Sequence, residues 1–308
     1  MSSAQKPYND YANWVGRHFA CKIQKISVDA GFSCPNRDGT KGKGGCIFCD
    51  NRTFNPAYCT PQKTVTEQLN DGKDFFARKY PDMKYLAYFQ AFTNTYAPLH
   101  HLKALYEEAL AVDDIMGIVI GTRPDCISNE LLDYLALLNT QTMVVMEYGI
   151  ESTNDSTLKF INRGHNFECA RKAIMDTAER GITTCAHLIL GLPGEDRADI
   201  LTQADIISEL PIDILKLHQM QVIKGTRLAD LYHSNPFHIF DIEEYIKLVT
   251  EYVMRLRPDI TIERFASQSP ADMLIAPRWG LKNHELTNLI VNHMVSHGYK
   301  QGDKYQTR

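Results

Sequence analysis

The sequence predicts an α/β fold: a parallel sheet or barrel of repeated strand–helix–strand units, followed by a shorter α/β extension. Three observations carry that expectation. Beyond residue 80, short runs rich in Val, Ile and aromatic residues alternate with segments of helical length, as buried parallel strands alternate with their crossovers. Each run ends in a polar or glycine-bearing cluster. Hydrophobic residues make up 44% of the 308, enough to fill a sizeable core.

The elements follow in order. The first strand is expected over 22–28, before a loop that carries three cysteines. Further strands are expected over 85–90, 116–121, 143–150, 183–190 and 212–222, and helices over 64–79, 99–111, 129–138, 167–180 and 196–210. Pro81 stops the first helix and Pro98 precedes the second, while Ser128 and Asn166 supply N-caps to the next two. Gly181 suits the position after a helix, and Pro211 ends the last of the five. After residue 225 or so, helices over 242–256 and 283–297 flank one short strand over 261–265. The expected organisation is an N-terminal segment (1–21), a core domain (22–230) and a C-terminal extension (231–308). No Gly-Ser linker separates the extension, so it should be docked on the barrel.

Composition excludes collagen-like, disordered and disulfide-miniprotein classes. No run approaches the roughly 20 apolar residues of a membrane span, and residues 1–13 lack the apolar core of a secretory signal. A cytoplasmic protein with no membrane partner is expected. Net charge is −4, yet residues 22–63 carry seven Lys/Arg against three Asp. Such a basic patch on an acidic body suits an anionic substrate arriving at one mouth.

Of eight cysteines, Cys34, Cys46 and Cys49 cluster. Cys21, Cys59, Cys126, Cys169 and Cys185 are scattered and read as small buried hydrophobes, with Cys21 and Cys59, which flank the cluster, the first exceptions to consider. In a reducing compartment clustering points to metal or catalysis. The Cys-x11-Cys-x2-Cys spacing brings two thiolates to one centre, and a loop with Gly39, Gly42, Gly44 and Gly45 can return the third. Three thiolates fall short of a closed zinc site. The nearest downstream histidine, His100, lies 51 residues past Cys49, so Asp38 or Asp50 would have to close it. A 4Fe–4S cube with three thiolates leaves one iron open to an outside ligand. Iron–sulfur is the favoured reading, with zinc and no metal open beside it.

Chemistry in parallel α/β folds gathers at the carboxyl ends of strands. Here those ends carry the cysteine loop, 90–96, 121–126, 147–152, 191–196 and 218–221. Arg123 can hold a carboxylate or phosphate bidentately. Gly191 and Gly194 can admit a ligand against the backbone. Of Glu147 and Glu151, one can pair with Arg163 and the other accept from a ribose diol. His187 and His218 read as satisfied core residues. P-loop motifs are absent, and Gly-x-Ser-x-Gly is absent too, which disfavours serine hydrolysis.

Together these stretches resemble the radical S-adenosylmethionine superfamily, in its YhcC/YtqA-like branch close to the radical domain of the Elongator catalytic subunit. The resemblance rests on Val28-Asp-Ala-Gly-Phe-Ser-Cys-Pro-Asn-Arg-Asp-Gly-Thr40, Gly45-Cys-Ile-Phe-Cys49, Gln90-Ala-Phe-Thr-Asn-Thr-Tyr96, Thr122-Arg-Pro-Asp125, Tyr148-Gly-Ile-Glu-Ser152, Arg163-Gly-His165, Gly191-Leu-Pro-Gly194 and Gly225-Thr226. It implies a partial (β/α)6 TIM-type barrel with a C-terminal α/β extension. It implies a 4Fe–4S cluster on Cys34, Cys46 and Cys49, with S-adenosylmethionine at the open iron cleaved to a hydrogen-abstracting 5′-deoxyadenosyl radical. It places Gln90, Thr93, Asn94, Arg123, Glu151, Ser152, Gly191 and Gly194 near that cofactor. It also implies an electron donor such as flavodoxin or ferredoxin.

The sequence departs from the superfamily and its Elongator-like members in four respects. The first cysteine gap is eleven residues rather than three. Phe89-Gln-Ala-Phe92 stands where Gly-Gly-Glu is common, so Gln90 or Thr93 must recognise the amino group. Gly121 stands where the Elongator-like enzymes tend to have an acidic residue, and no acetyltransferase domain follows, so acetyl-CoA chemistry of the Elongator type is not expected. The leading expectation is modification of the carbon-5 substituent of a tRNA wobble uridine. The alternatives are a radical enzyme on a small metabolite or protein side chain, and a non-catalytic zinc- or cluster-binding scaffold.

Overall fold

Strand and helix alternate in the folded chain much as their sequence patterns demand. The computed structural model describes residues 6–53, 55–77 and 82–306. In order, α1 (Tyr11–His18) precedes β1 (Ile23–Val28), α2 (Val65–Ala77), β2 (Lys84–Phe89), α3 (Leu99–Leu110) and β3 (Ile115–Thr122). Next come α4 (Asn129–Asn139), β4 (Met143–Glu151), α5 (Asp155–Phe160), α6 (Phe167–Ala178), β5 (Thr183–Leu190) and α7 (Arg197–Ser208). Last are β6 (Ile214–Gln219), β7 (Val222–Ile223), α8 (Arg227–Ser234), α9 (Ile242–Arg255), β8 (Thr261–Arg264), β9 (Leu274–Ala276) and α10 (Asn283–Ser296).

Seven strands form one parallel sheet in the order β1-β2-β3-β4-β5-β6-β8. The sheet curls into a half-barrel, so that Lys25 on β1 reaches Glu263 on β8 at 2.6 Å. The expected α/β partial barrel is therefore what the chain forms. Ser128 and Asn166 cap α4 and α6 by accepting from the backbone N–H of Leu131 and Cys169. The expected end of the first crossover helix, at Lys79, lies outside the described residues.

Two features differ from expectation. The strand expected over 212–222 divides. β6 ends at Gln219, and Val222 and Ile223 turn to pair antiparallel with β9, because Met220 and Val222 bury in a second apolar cluster with Leu192, Leu228 and Ala229. The strand near 261 pairs with β6 in the main sheet. Its outer edge is covered by the N-terminal segment: Ile262 N–H donates to the Asn9 carbonyl at 2.8 Å, which protects an edge that would otherwise template pairing. Two short helices, α1 and α5, add to the expected elements, capped by Asp10 and Asn154.

Strand side chains alternate between faces, and the inner face of the half-barrel is layered. At the bottom Leu86, Val119, Val145, Cys185 and Ile214 pack with Trp14 from α1. Two residues further along, the same strands present Tyr88, Gly121, Glu147, His187 and Lys216, and above these Gln90, Arg123, Gly149 and His218. Apolar residues of the outer face pack under the helices as the main core. Among the described residues no helix is long and apolar enough to cross a membrane.

Candidate active site

The cysteine loop is held by short-range backbone bonds. Arg37 and Asp38 N–H groups donate to the Cys34 carbonyl at 2.8 and 3.1 Å, and Cys49 N–H donates to the Cys46 carbonyl at 3.1 Å. The loop is tied to the barrel by Asn36, whose Nδ2 donates to the Asn162 carbonyl at 2.5 Å, and by Asn162, whose Nδ2 donates to the Gly45 carbonyl at 2.8 Å. Gly45 has φ +76°, and a Cβ there would lie 2.8 Å from Arg37 Nε, so glycine alone suits this return. N–H donors point at sulfur: Arg163 Nη1 lies 3.6 Å and Asn36 Nδ2 3.8 Å from Cys46 Sγ.

All three cysteines line one cavity of about 170 Å³ at the carboxyl end of the sheet. Larger recesses exist, about 350 Å³ near Arg255 and about 540 Å³ near Cys126, but none of the trio lines them. Burial, then the neighbouring Cys46, pushes the Cys49 thiol up to about 11, so its thiolate needs a nearby cation.

Beneath the cavity lies a network of buried charge. Lys216 Nζ meets Glu147 at 2.7 Å and Glu263 at 3.5 Å, and Lys25 meets Glu263 at 2.6 Å. Tyr88 donates its hydroxyl to Glu147 at 2.5 Å. Burial raises the Glu147 carboxyl, but Lys216 and Lys25 outweigh it and hold the group at about 2. On the walls, Arg123 binds Asp125 through Nε at 2.9 Å, and Arg163 lies 3.4 Å from Glu151. Burial raises the Asp125 carboxyl, and Arg123 and Lys41 hold it at about 2.

Of the residues expected near a cofactor, Gln90, Thr93, Arg123 and Glu151 line the cavity with the cysteines. Asn94, Ser152, Gly191 and Gly194 do not. Asn94 donates to the Gly121 carbonyl at 2.8 Å, and Ser152 is fully buried, donating to Glu195. That carboxyl is pushed up to about 7 by burial. Gly191 lies under Phe240, whose ring a Cβ would meet at 2.9 Å. Gly194 turns into α7 with open space beside it. Cys21 and Cys59 lie away from the cavity wall.

Sequence reasoning passed over Tyr88 and Arg264 and treated two wall residues as core. His187 and His218 both face the cavity, with ring centroids 3.9 Å apart. They stand two and four residues above Cys185 and Ile214 on their strands, on the same face.

Seven cavity-lining residues carry a buried side-chain atom with no hydrogen-bond partner: Asn51, Thr93, Arg123, Glu151, Arg163, His187 and Arg264. Glu151 Oε2 lies 3.3 Å from His187 Nδ1 but without hydrogen-bond alignment. Native proteins leave few such atoms, and their convergence marks a ligand site. Glu151 also holds φ +71° and Phe92 φ +61°, left-handed conformations that cost bulky residues energy and gather at functional sites.

The donor set can be tested against candidate metals. Zinc holds thiolates at about 2.3 Å and so crowds its ligand atoms within roughly 4 Å of one another. Among the described residues the trio converging within 4.8 Å is Glu147, Cys185 and Glu263, already neutralised by lysines. Cys34, Cys46 and Cys49 share a cavity without that single-ion crowding, as suits thiolates at separate corners of a cluster.

Residues 37–205 match the Radical SAM superfamily, and residues 212–296 match the Radical SAM C-terminal domain. The chain is 34% identical to YtqA of Bacillus subtilis (strain 168), covering 99% of this chain and 95% of that protein. It is 28% identical to the tRNA uridine(34) acetyltransferase of Methanocaldococcus jannaschii, covering 60% of this chain and 34% of the relative. Among solved structures, archaeal Elp3 of Methanocaldococcus infernus superposes with a TM-score of 0.70 at 17% identity, covering 91% of this chain and 64% of that one. That likeness is one of fold.

Proposed function

The chain belongs to the radical S-adenosylmethionine superfamily, and on that premise we propose that it modifies the carbon-5 substituent of a tRNA wobble uridine, with Cys34, Cys46 and Cys49 as its cluster ligands. Members of the family use a 4Fe–4S cluster and S-adenosylmethionine, which together supply a carbon radical that takes a hydrogen atom from substrate. The observation that carries the reading is the meeting of three thiols and seven unpartnered buried polar groups in one cavity.

The chain's own residues divide the work. Arg163 and Asn36 hydrogen-bond to Cys46, and such bonds tune a thiolate ligand and the potential of what it holds. Thr93, Arg123 and Glu151 offer a hydroxyl, a cation and a carboxylate to the amino-acid and ribose parts of the nucleoside cosubstrate. Gly149 keeps that wall open, since a Cβ there would lie 2.6 Å from both Arg163 and Glu151. Arg37 and Phe92, at 6.0 Å, stand at the mouth on the basic side, as a cation and a ring that a single-stranded base can stack on.

The tRNA assignment draws on the relative that acts on tRNA uridine 34 and on the basic 22–63 segment. The acidic remainder of the chain favours instead a small metabolite. One anaerobic experiment separates them: holoenzyme, dithionite and S-adenosylmethionine, with tRNA from a deletion strain or with an RNA-free metabolite extract. The proposal expects 5′-deoxyadenosine release and a nucleoside mass change with tRNA. Release with the extract alone, and unchanged tRNA, overturns it. RNA binding should weaken as salt rises.

A further inference from the structure

Apart from Arg37, exposed at the mouth, each cation of the site has its own carboxylate among the described residues, with one exception. Arg123 has Asp125, Arg163 has Glu151, Lys216 has Glu147 and Lys25 has Glu263. Arg264, at the end of β8, lines the same cavity and forms no ion pair among the described residues. Its Nε is buried without a partner. Its one side-chain bond runs to His218 Nε2. A guanidinium only donates, so His218 must accept there and carry its ring proton on Nδ1.

The groups facing Arg264 leave its charge standing. His218 is kept neutral by burial and by Arg264 itself. His187, packed against His218, is held at about 4 by burial, partly offset by Glu151. Lys216, its register neighbour on β6, is a second cation whose charge is already met by Glu147 and Glu263. His187 Nε2, on the same wall, is a further buried atom without a partner. An unpaired guanidinium in a half-enclosed cavity is costly, and its planar fork fits a carboxylate or phosphate.

We infer that Arg264, fixed in place by His218, is the substrate-anion site of this enzyme, taking a carboxylate or phosphate of the substrate against the C-terminal wall of the cavity. The assignment of that anion to an RNA substrate rests on the function proposed above; the anion site itself does not. It makes Arg264 a specificity residue contributed by the C-terminal part of the chain to the cavity that the cysteine loop also lines.

Two measurements on the anaerobic holoenzyme test this. The first compares thermal melts in inorganic phosphate and in chloride at equal ionic strength. Wild-type protein should gain Tm with phosphate, while Arg264→Met should melt higher than wild type in chloride and lose the phosphate response. Arg264→Lys should keep part of it. A phosphate response in Arg264→Met equal to wild type overturns the inference.

The second uses two anticodon stem–loops that differ only in carrying a carboxylate arm, or its methyl ester, at carbon 5 of the wobble uridine. If Arg264→Met weakens only the acid by roughly tenfold, the anion is the substituent's carboxylate. If both weaken equally, it is a backbone phosphate. If wild type binds the stem–loops and neither is affected, Arg264 does not serve the substrate and the inference falls. If wild type binds neither, the tRNA reading fails and the melts alone decide the anion site.

Discussion

The lower and upper halves of the barrel interior are built from the same strands yet follow opposite rules. Below, Leu86, Val119, Val145, Cys185, Ile214 and Trp14 form a closed apolar layer. The charged layer on top of it pairs Lys25 and Lys216 with Glu263 and Glu147. Above, at the strand ends and in the loops that follow them, seven side chains hold unpartnered buried atoms, and two non-glycine residues hold left-handed φ. The lower half is satisfied by the chain alone. The upper half is satisfied only from outside it. The contrast locates function more sharply than any single motif, because a purely structural barrel would have resolved both layers in the same way.

The largest effects should appear where the upper half depends on its ligands. Cys46→Ala is expected to remove iron and sulfide from the anaerobically reconstituted protein and to abolish 5′-deoxyadenosine release. Retention of both would break the contrast at its centre. Far-UV circular dichroism should change little, since Cys46 sits in a loop tied down by Asn36 and Asn162.

The lower half should respond in stability instead. Lys216→Met leaves Glu147 and Glu263 buried without their shared cation, and breaking such a pair costs about 3–5 kcal/mol. Denaturant unfolding of the variant measures this. A loss below about 1 kcal/mol would mean that the charged layer is solvated, and therefore part of the site rather than its floor.

How much of this was legible beforehand follows the same division. The six core strands were readable because buried parallel strands write themselves as Val- and Ile-rich runs, and Ser128 and Asn166 marked helix starts through their own side-chain chemistry. The cysteine trio was readable from spacing. Tertiary placement was not. Gly191 and Gly194 announce a turn, but only packing puts Gly191 under Phe240. Arg264 joins the site because β8 pairs with β6, a pairing between residues some fifty positions apart. His187 and His218 could be known as wall residues only after the register of β5 and β6 was fixed.

Acid offers a graded version of the comparison. Lys216 and Lys25 hold Glu147 at about 2 despite burial, against an ordinary value near 4.3. A carboxyl depressed by folding contributes stability that is complete above the unfolded value and is lost as pH falls toward the folded one. His187, held at about 4 mainly by burial, adds the same sign from about pH 6.5 downward, because the unfolded chain takes up its proton first. Wild-type stability should therefore fall between about pH 6.5 and 2, with about 2–3 kcal/mol of the loss below pH 4.3 traceable to Glu147. Glu147→Gln should start lower at neutral pH and show a shallower slope across the acid part of that window. An unchanged slope would assign acid sensitivity to other carboxyls.

The smallest expected effect bears on the strain of the upper half. Phe92 holds φ +61° and is 38% exposed, so the fold gains little from its ring and is charged for its backbone. Glycine reaches that conformation without a Cβ penalty, though it also makes the unfolded chain more flexible. Phe92→Gly should therefore leave stability within about 1 kcal/mol of wild type, on either side, where loss of a buried aromatic would cost about 3–5 kcal/mol. Trp14→Ala, in the lower half, supplies that second number as an internal control. If Phe92→Gly is nearly neutral in denaturant yet slows turnover, the strained ring serves the ligand side of the barrel. If it destabilises as much as Trp14→Ala, Phe92 is a core residue in disguise, and the line between the two halves must be drawn higher.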